Sequence, residues 1–146
     1  MQARRTSRQA ALQVLYGCDT LSDFTASRLE GLVAHVQSQA GQESDDERVD
    51  LGDEGYFKEL VQGVMSNLEM LDAQIALACE NWSVARMSRV DRNIIRIAAF
   101  ELLYRSDIPA KVSINEAIEI AKLFAADESP NFINGVLDRL KQAKAS

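Results

Sequence analysis

Apolar residues recur at intervals of three and four in every long segment of the sequence, and no stretch alternates β-branched with polar residues. A strand turns successive side chains to opposite faces, whereas a helix brings i, i+3, i+4 and i+7 onto one, so the pattern predicts an all-α chain. A first helix is expected from Thr6, because Thr6-Ser7-Arg8-Gln9 has capping-box spacing, with Ala11, Leu12, Val14, Leu15 and Cys18 as its buried stripe. Leu29, Leu32, Val33 and Val36 mark a second from about Phe24 to Gln39, antiparallel to the first. Tyr56, Phe57, Leu60, Val61, Val64 and Leu68 mark a third, and Leu71, Ile75 and Leu77 a shorter fourth that fades near Trp82. Ser88-Arg89-Val90-Asp91 opens a strongly amphipathic helix through Ile94, Ile95, Ala98, Leu102 and Leu103, which Pro109 cannot continue. Ser113-Ile114-Asn115-Glu116 reads as another capping box, leading into Ala117, Ile118, Ala121 and Phe124. Ser129 and Pro130 read as the cap and first position of a last helix over Phe132, Ile133, Val136, Leu137 and Leu140. The expectation is about seven helices in a single domain over residues 1–146, without internal repeats. Gly135, following Asn134 inside the last helix, costs about 1 kcal/mol relative to Ala, and close approach of a neighbouring helix is the expected reason.

With 146 residues, 47% of them hydrophobic, the chain can bury roughly two-thirds of the surface its unfolded form exposes, so no disulfide or metal staple is needed. Cys18 and Cys79 form no CxxC and read as buried thiols of a reducing compartment. No apolar run of signal-peptide type follows the charged N-terminus, and none approaches the roughly 18 residues of a membrane helix, so a cytoplasmic protein is expected. The net charge of −6 is unevenly spread. Seven acids and one base fall in "QAGQESDDERVDLGDEG", residues 39–55, leaving the other fifteen acids matched by fifteen bases. This acidic connection reads as a solvated linker rather than a docking site.

The residues of common catalytic chemistry are sparse. One histidine, His35, allows no multi-His metal site and supplies at most one member of a triad. Neither GxGxxG nor GxxxxGK[ST] occurs. Neither an enzyme nor a cofactor or metal site is expected.

Surface recognition remains. Arg4, Arg5 and Arg8 all precede the first carboxylate, Asp19. Their planar, permanently charged forks suit phosphate oxygens, although an ordinary charged terminus would look the same. Arg4 and Arg5, ahead of the expected cap, would be mobile. Arg86, Arg89, Arg92 and Arg96 form a second group. The last three fall within about 60° on a helix, either a basic recognition stripe or a solvated flank. Asp91 sits three residues after Ser88, where capping and the helix dipole favour an acid. Tyr16 and Phe132, at the edges of their stripes, could stack unpaired bases or complete the core.

"VDRNIIRIAAFELLYRSDIPAKVSINEAIEIAKLFAADESPNFINGVLDRL", residues 90–140, resembles the NusB family of transcription antitermination factors, and "RQAALQVLYGCD" is similar to that family's first helix. The resemblance implies an all-α fold of two packed helical subdomains. It also implies binding of single-stranded boxA RNA in nascent ribosomal transcripts together with the ribosomal protein NusE, in an antitermination complex on RNA polymerase. By position it assigns RNA binding to Arg4, Arg5, Arg8, Tyr16, Glu128, Ser129 and Phe132, and the NusE surface to Asp91 with its neighbour Arg92. Alternatives are a helical docking scaffold without RNA affinity, or an accessory domain for ribosomal RNA modification. Helical domains of this kind occur fused to methyltransferases, and 146 residues leave no expected room for such a domain.

Overall fold

The computed structural model describes residues 2–40, 51–80 and 82–145, and among them every regular element is helical. The helices are α1 (Gln2–Thr20), α2 (Ala26–Ala40), α3 (Glu54–Ser66), α4 (Leu68–Ala78), α5 (Arg89–Tyr104), α6 (Ala110–Phe124) and α7 (Ser129–Ala145), with a 3-10 turn at Val84–Arg86. They divide into two helical units, Met1–Met65 and Ser66–Ser146. Most of the acidic connection, residues 41–50, lies outside the described residues. No helix among the described residues is long and apolar enough to cross a membrane.

In the first unit the predicted stripes form the core: Ala11, Val14, Leu15 and Cys18 of α1, and Phe57, Leu60, Val61 and Val64 of α3, are all buried. The two cysteines are free and buried. Helices α1 and α2 pack closely enough at Gly17 that a Cβ there would stand 3.1 Å from Leu32 Cδ1. Thr25 caps α2, its Oγ1 accepting the Arg28 N–H at 3.3 Å. Asp23 in turn accepts the Thr25 N–H at 3.0 Å and pairs with Arg28 Nε at 3.3 Å.

Helix α1 starts four residues earlier than the capping-box reading, which placed the cap at Thr6. The reason is tertiary. Ser7 is buried, and its Oγ accepts the Asp53 N–H at 2.9 Å while lying 2.8 Å from the Leu51 carbonyl and 2.9 Å from that of Ala3. A segment 44 residues away thus holds the first turns of the helix that local capping would have left frayed.

The second unit is built around α5, which packs on α4, α6 and α7 and is buried from Asn93 through Leu102. Arg96, expected in a basic stripe, lies inside the unit instead. Its guanidinium forms a two-pronged pair with Asp72, at 2.8 Å for both contacts, and a 3.0 Å bond to Asn93 Oδ1. Arg139 donates to the Ala78 carbonyl at 3.1 Å, tying α7 to the end of α4.

Other boundaries also move. Helix α6 begins directly after Pro109, so Ser113 is not a cap but a buried residue of its first turns. Pro109 takes the extended geometry of a helix entry and its carbonyl accepts the Val112 N–H at 2.9 Å, which starts the helix before the serine is reached. Helix α7 includes Ser129 as its first residue, with the Glu128 carbonyl accepting from Phe132 N–H at 3.3 Å. Leu77, placed in the α4 stripe, is 75% exposed. No neighbouring helix approaches Gly135: a Cβ there would meet nothing within 4 Å.

Candidate nucleic-acid interface

The predicted site residues form two groups, one in each unit. In the first, α1 carries Arg5, exposed, and Arg4, half-buried. Arg8 is only 3% exposed. Both flanking guanidiniums stand over one ring: Arg4 Cζ lies 4.7 Å and Arg8 Cζ 5.6 Å from the centroid of Tyr56, a buried residue of α3. The tip is therefore an ordered helical turn in which cation–π attraction fixes two of the three arginines. The expectation of mobile, unopposed guanidiniums does not hold, because α1 extends past them and Tyr56 supplies the opposing face. Tyr16 is 41% exposed, so its ring is not consumed by the core. At about 100° per residue Arg5 and Tyr16 fall within roughly 20° of each other, some ~16 Å apart along α1. That places a cation and an aromatic face on one ridge.

The second group surrounds a cavity of about 730 Å³ formed where the end of α4, the 3-10 turn, the first turn of α5 and the start of α7 meet. Asp91, Glu128, Ser129 and Phe132 all line it, joined by Trp82 and Arg86. Ser88 caps α5 as expected, accepting the Asp91 N–H at 3.0 Å. Since the cap uses the Asp91 backbone, the carboxylate is spared, and its buried Oδ1 has no hydrogen-bond partner among the described residues. Arg92 is not on the cavity lining; its Nη1 donates to the Ala85 carbonyl at 3.3 Å, holding the 3-10 turn to α5. Of the arginine stripe, Arg86 and Arg89 are exposed. The Cys79 thiol at the cavity wall has a pKa raised by burial, against which the Arg139 guanidinium works more weakly, so at neutral pH it is a thiol and not a nucleophilic thiolate. Among the described residues no three of His, Cys, Asp and Glu are grouped to hold a metal ion.

Two residues escaped sequence reasoning. Tyr56 carried only the signal of a core residue, because nothing in a linear pattern shows that its ring faces two arginines. Trp82 stood where a helical stripe faded, and its 48% exposure beside a cavity is a tertiary fact.

The family profile described as NusB matches residues 5–142, which takes in most of the basic tip and the whole cavity lining. The chain belongs to the NusB family. The transcription antitermination protein NusB of Geobacter sp. (strain M21) is 44% identical over 142 residues, spanning 96% of this chain and 94% of that protein. Among solved structures, T. maritima NusB superposes with a TM-score of 0.74 at 35% identity, covering 95% of this chain and 90% of that one. A NusB fold seen in a crystal structure of the antitermination factors NusB and NusE with dsRNA superposes with a TM-score of 0.76 at 23% identity over 98% of each chain, a likeness of fold. These matches extend along nearly the full NusB chain, so both helical units fall within the matched length.

Proposed function

We propose that this NusB-family chain is a cytoplasmic, non-enzymatic transcription antitermination factor that binds single-stranded boxA RNA together with NusE and helps hold an antitermination complex on RNA polymerase. The observation that carries the reading is the ordered basic tip of α1, with Arg5 exposed and in line with an exposed Tyr16. A phosphate contact and a base-stacking face on one ridge match the two needs of an unpaired strand. The Geobacter relative, named for antitermination, supports the antitermination role, and the solved assembly of NusB and NusE with dsRNA supports NusE and RNA as partners.

In this proposal Arg4, Arg5 and Tyr16 meet the RNA directly. Arg8, held under Tyr56, acts mainly by fixing the tip. Glu128, Ser129 and Phe132 supply further RNA contacts from the second unit, and Asp91 with Arg92 at the start of α5 belongs to the NusE surface. A tip with so few outward cations binds weakly by itself, and a basic ribosomal partner supplies the remaining contact area. The deciding experiment titrates labelled boxA RNA with the chain alone and with NusE present. A clear gain in affinity from NusE is expected, and equal affinities would overturn the proposal. RNA affinity that survives Arg4→Ala with Arg5→Ala would instead favour a protein-docking scaffold.

A further inference from the structure

Two local effects oppose a helix at the tip of α1. Arg4, Arg5 and Arg8 fall in its first two turns, where the sequence supplies no acid to answer the positive end of the helix dipole. Arg4 and Arg8, four residues apart, also repel each other across one turn. Helix α1 nevertheless begins at Gln2. Asp53 supplies the missing support through two bonds: its N–H donates to Ser7 Oγ at 2.9 Å, and its Oδ1 accepts the Tyr56 N–H at 3.1 Å. The residue that clasps α1 therefore also caps the turn that carries Tyr56. In doing so it fixes the ring where Arg4 and Arg8 meet it, with their Cζ atoms 4.7 and 5.6 Å from its centroid.

Tyr56 is almost wholly buried and so offers RNA no surface of its own. Its contact with the buried Arg8 is desolvated, the condition in which cation–π attraction is strongest. A guanidinium lying over a ring engages it with its face and keeps its in-plane N–H donors for phosphate oxygens. Arg4, half-buried over the same ring, is in that state. We propose that Tyr56 is a positioning residue for RNA binding: it never touches the strand, and its π face holds Arg4 and Arg8 so that Arg4 and Arg5 meet phosphates from an already ordered tip. A long side chain ordered in advance loses less rotamer freedom on binding, so the ring raises affinity without adding a contact. The inference rests on the RNA-binding reading above and deepens it by placing a determinant of RNA affinity on α3, outside the helix that carries the arginines.

The test compares Tyr56→Leu, which keeps an apolar side chain and loses the π face, with Tyr56→Phe, which keeps the ring. Labelled boxA RNA is titrated with the full chain in the presence of NusE, at a temperature where melting curves show each variant folded. The affinity for NusE without RNA is the control. Tyr56→Leu is expected to weaken RNA binding about tenfold, or about 1.4 kcal/mol, the scale of ordering one or two long side chains on binding, with NusE affinity unchanged. Tyr56→Phe should match the wild type. Should Tyr56→Leu fail to fold or lose NusE affinity as well, the decision passes to a measurement that needs no substitution. In the wild-type chain isotope-labelled on arginine, the Nε–H proton signals of Arg4 and Arg8 should be shifted upfield by the Tyr56 ring and should stay shifted when RNA is added. A folded Tyr56→Leu chain that binds RNA as tightly as the wild type would overturn the positioning role. So would a Tyr56→Phe chain as weak as Tyr56→Leu, or arginine signals that leave the ring on RNA binding. Each of these leaves the RNA-binding reading standing, whereas a wild-type chain that binds no boxA RNA with NusE present would overturn that reading and the positioning role with it.

Discussion

Gly52 sits at φ +62°, and a Cβ built there would lie 2.0 Å from the Ala3 carbonyl oxygen. Only glycine lets the 51–53 segment cross the first turn of α1 so closely, and that crossing brings the Leu51 carbonyl and the Asp53 N–H to Ser7. Gly52→Ala is therefore expected to destabilise the chain by about 1–3 kcal/mol, read from denaturant midpoints, and to fray the arginine tip. Asp23 gives a residue-scale prediction about pH. Its carboxyl is held below the ordinary value of 3.8, first by the hydrogen bonds from Thr25 and then by Arg28. A folded-state pKa lower than the unfolded one means that charged Asp23 stabilises the native state fully above the ordinary value. The contribution disappears as the pH falls through the lowered folded value. Asp23→Asn should lower Tm at neutral pH and flatten the acid limb of a Tm-against-pH curve; an unchanged acid limb would show that Asp23 contributes nothing there.

At the scale of the helix, Gly135 gives the sharpest test. It lies inside α7 with open space where its Cβ would be, so no neighbour repays its entropic cost. Gly135→Ala should stabilise the chain by up to about 1 kcal/mol, seen as a higher Tm in a calorimetric scan. The outcome also bears on what periodicity can reveal. The buried stripes of α1, α3, α5 and α7 were legible because they follow from the 3.6-residue turn alone. Helix ends were not. Thr6 and Ser113 have capping-box spacing, yet α1 and α6 begin upstream of both, since a distant segment holds Ser7 in one case and Pro109 starts the turn in the other. Arg96 shows the same limit on a helix face: its angular position fitted a basic stripe, and Asp72, 24 residues away, turned it into an internal tie between α4 and α5.

At the scale of the whole molecule, the predicted RNA residues divide between two units, and the electrostatic share of binding rests with the tip. Three free arginines would give a log-log salt slope of roughly −2, a loss of about twentyfold between 50 and 200 mM salt. With Arg8 buried under Tyr56, two phosphate contacts give a slope of roughly −1.4 and a loss of about sevenfold. Affinities of the isolated chain for boxA RNA across that salt range should show the shallower slope, and a slope of −2 or steeper would mean that Arg8 is released on binding. The amino-acid sequence determined the helical class, the stripes that become the core, the concentration of negative charge in residues 39–55 and the family resemblance, because each depends on composition or on spacing within one element. Tertiary structure alone decided that Arg8 is buried against Tyr56 and Arg96 against Asp72, and that Trp82, Asp91 and Phe132 share a cavity. Those outcomes rest on contacts between residues far apart in the chain, and the period of a helix carries no record of which partner its faces will meet.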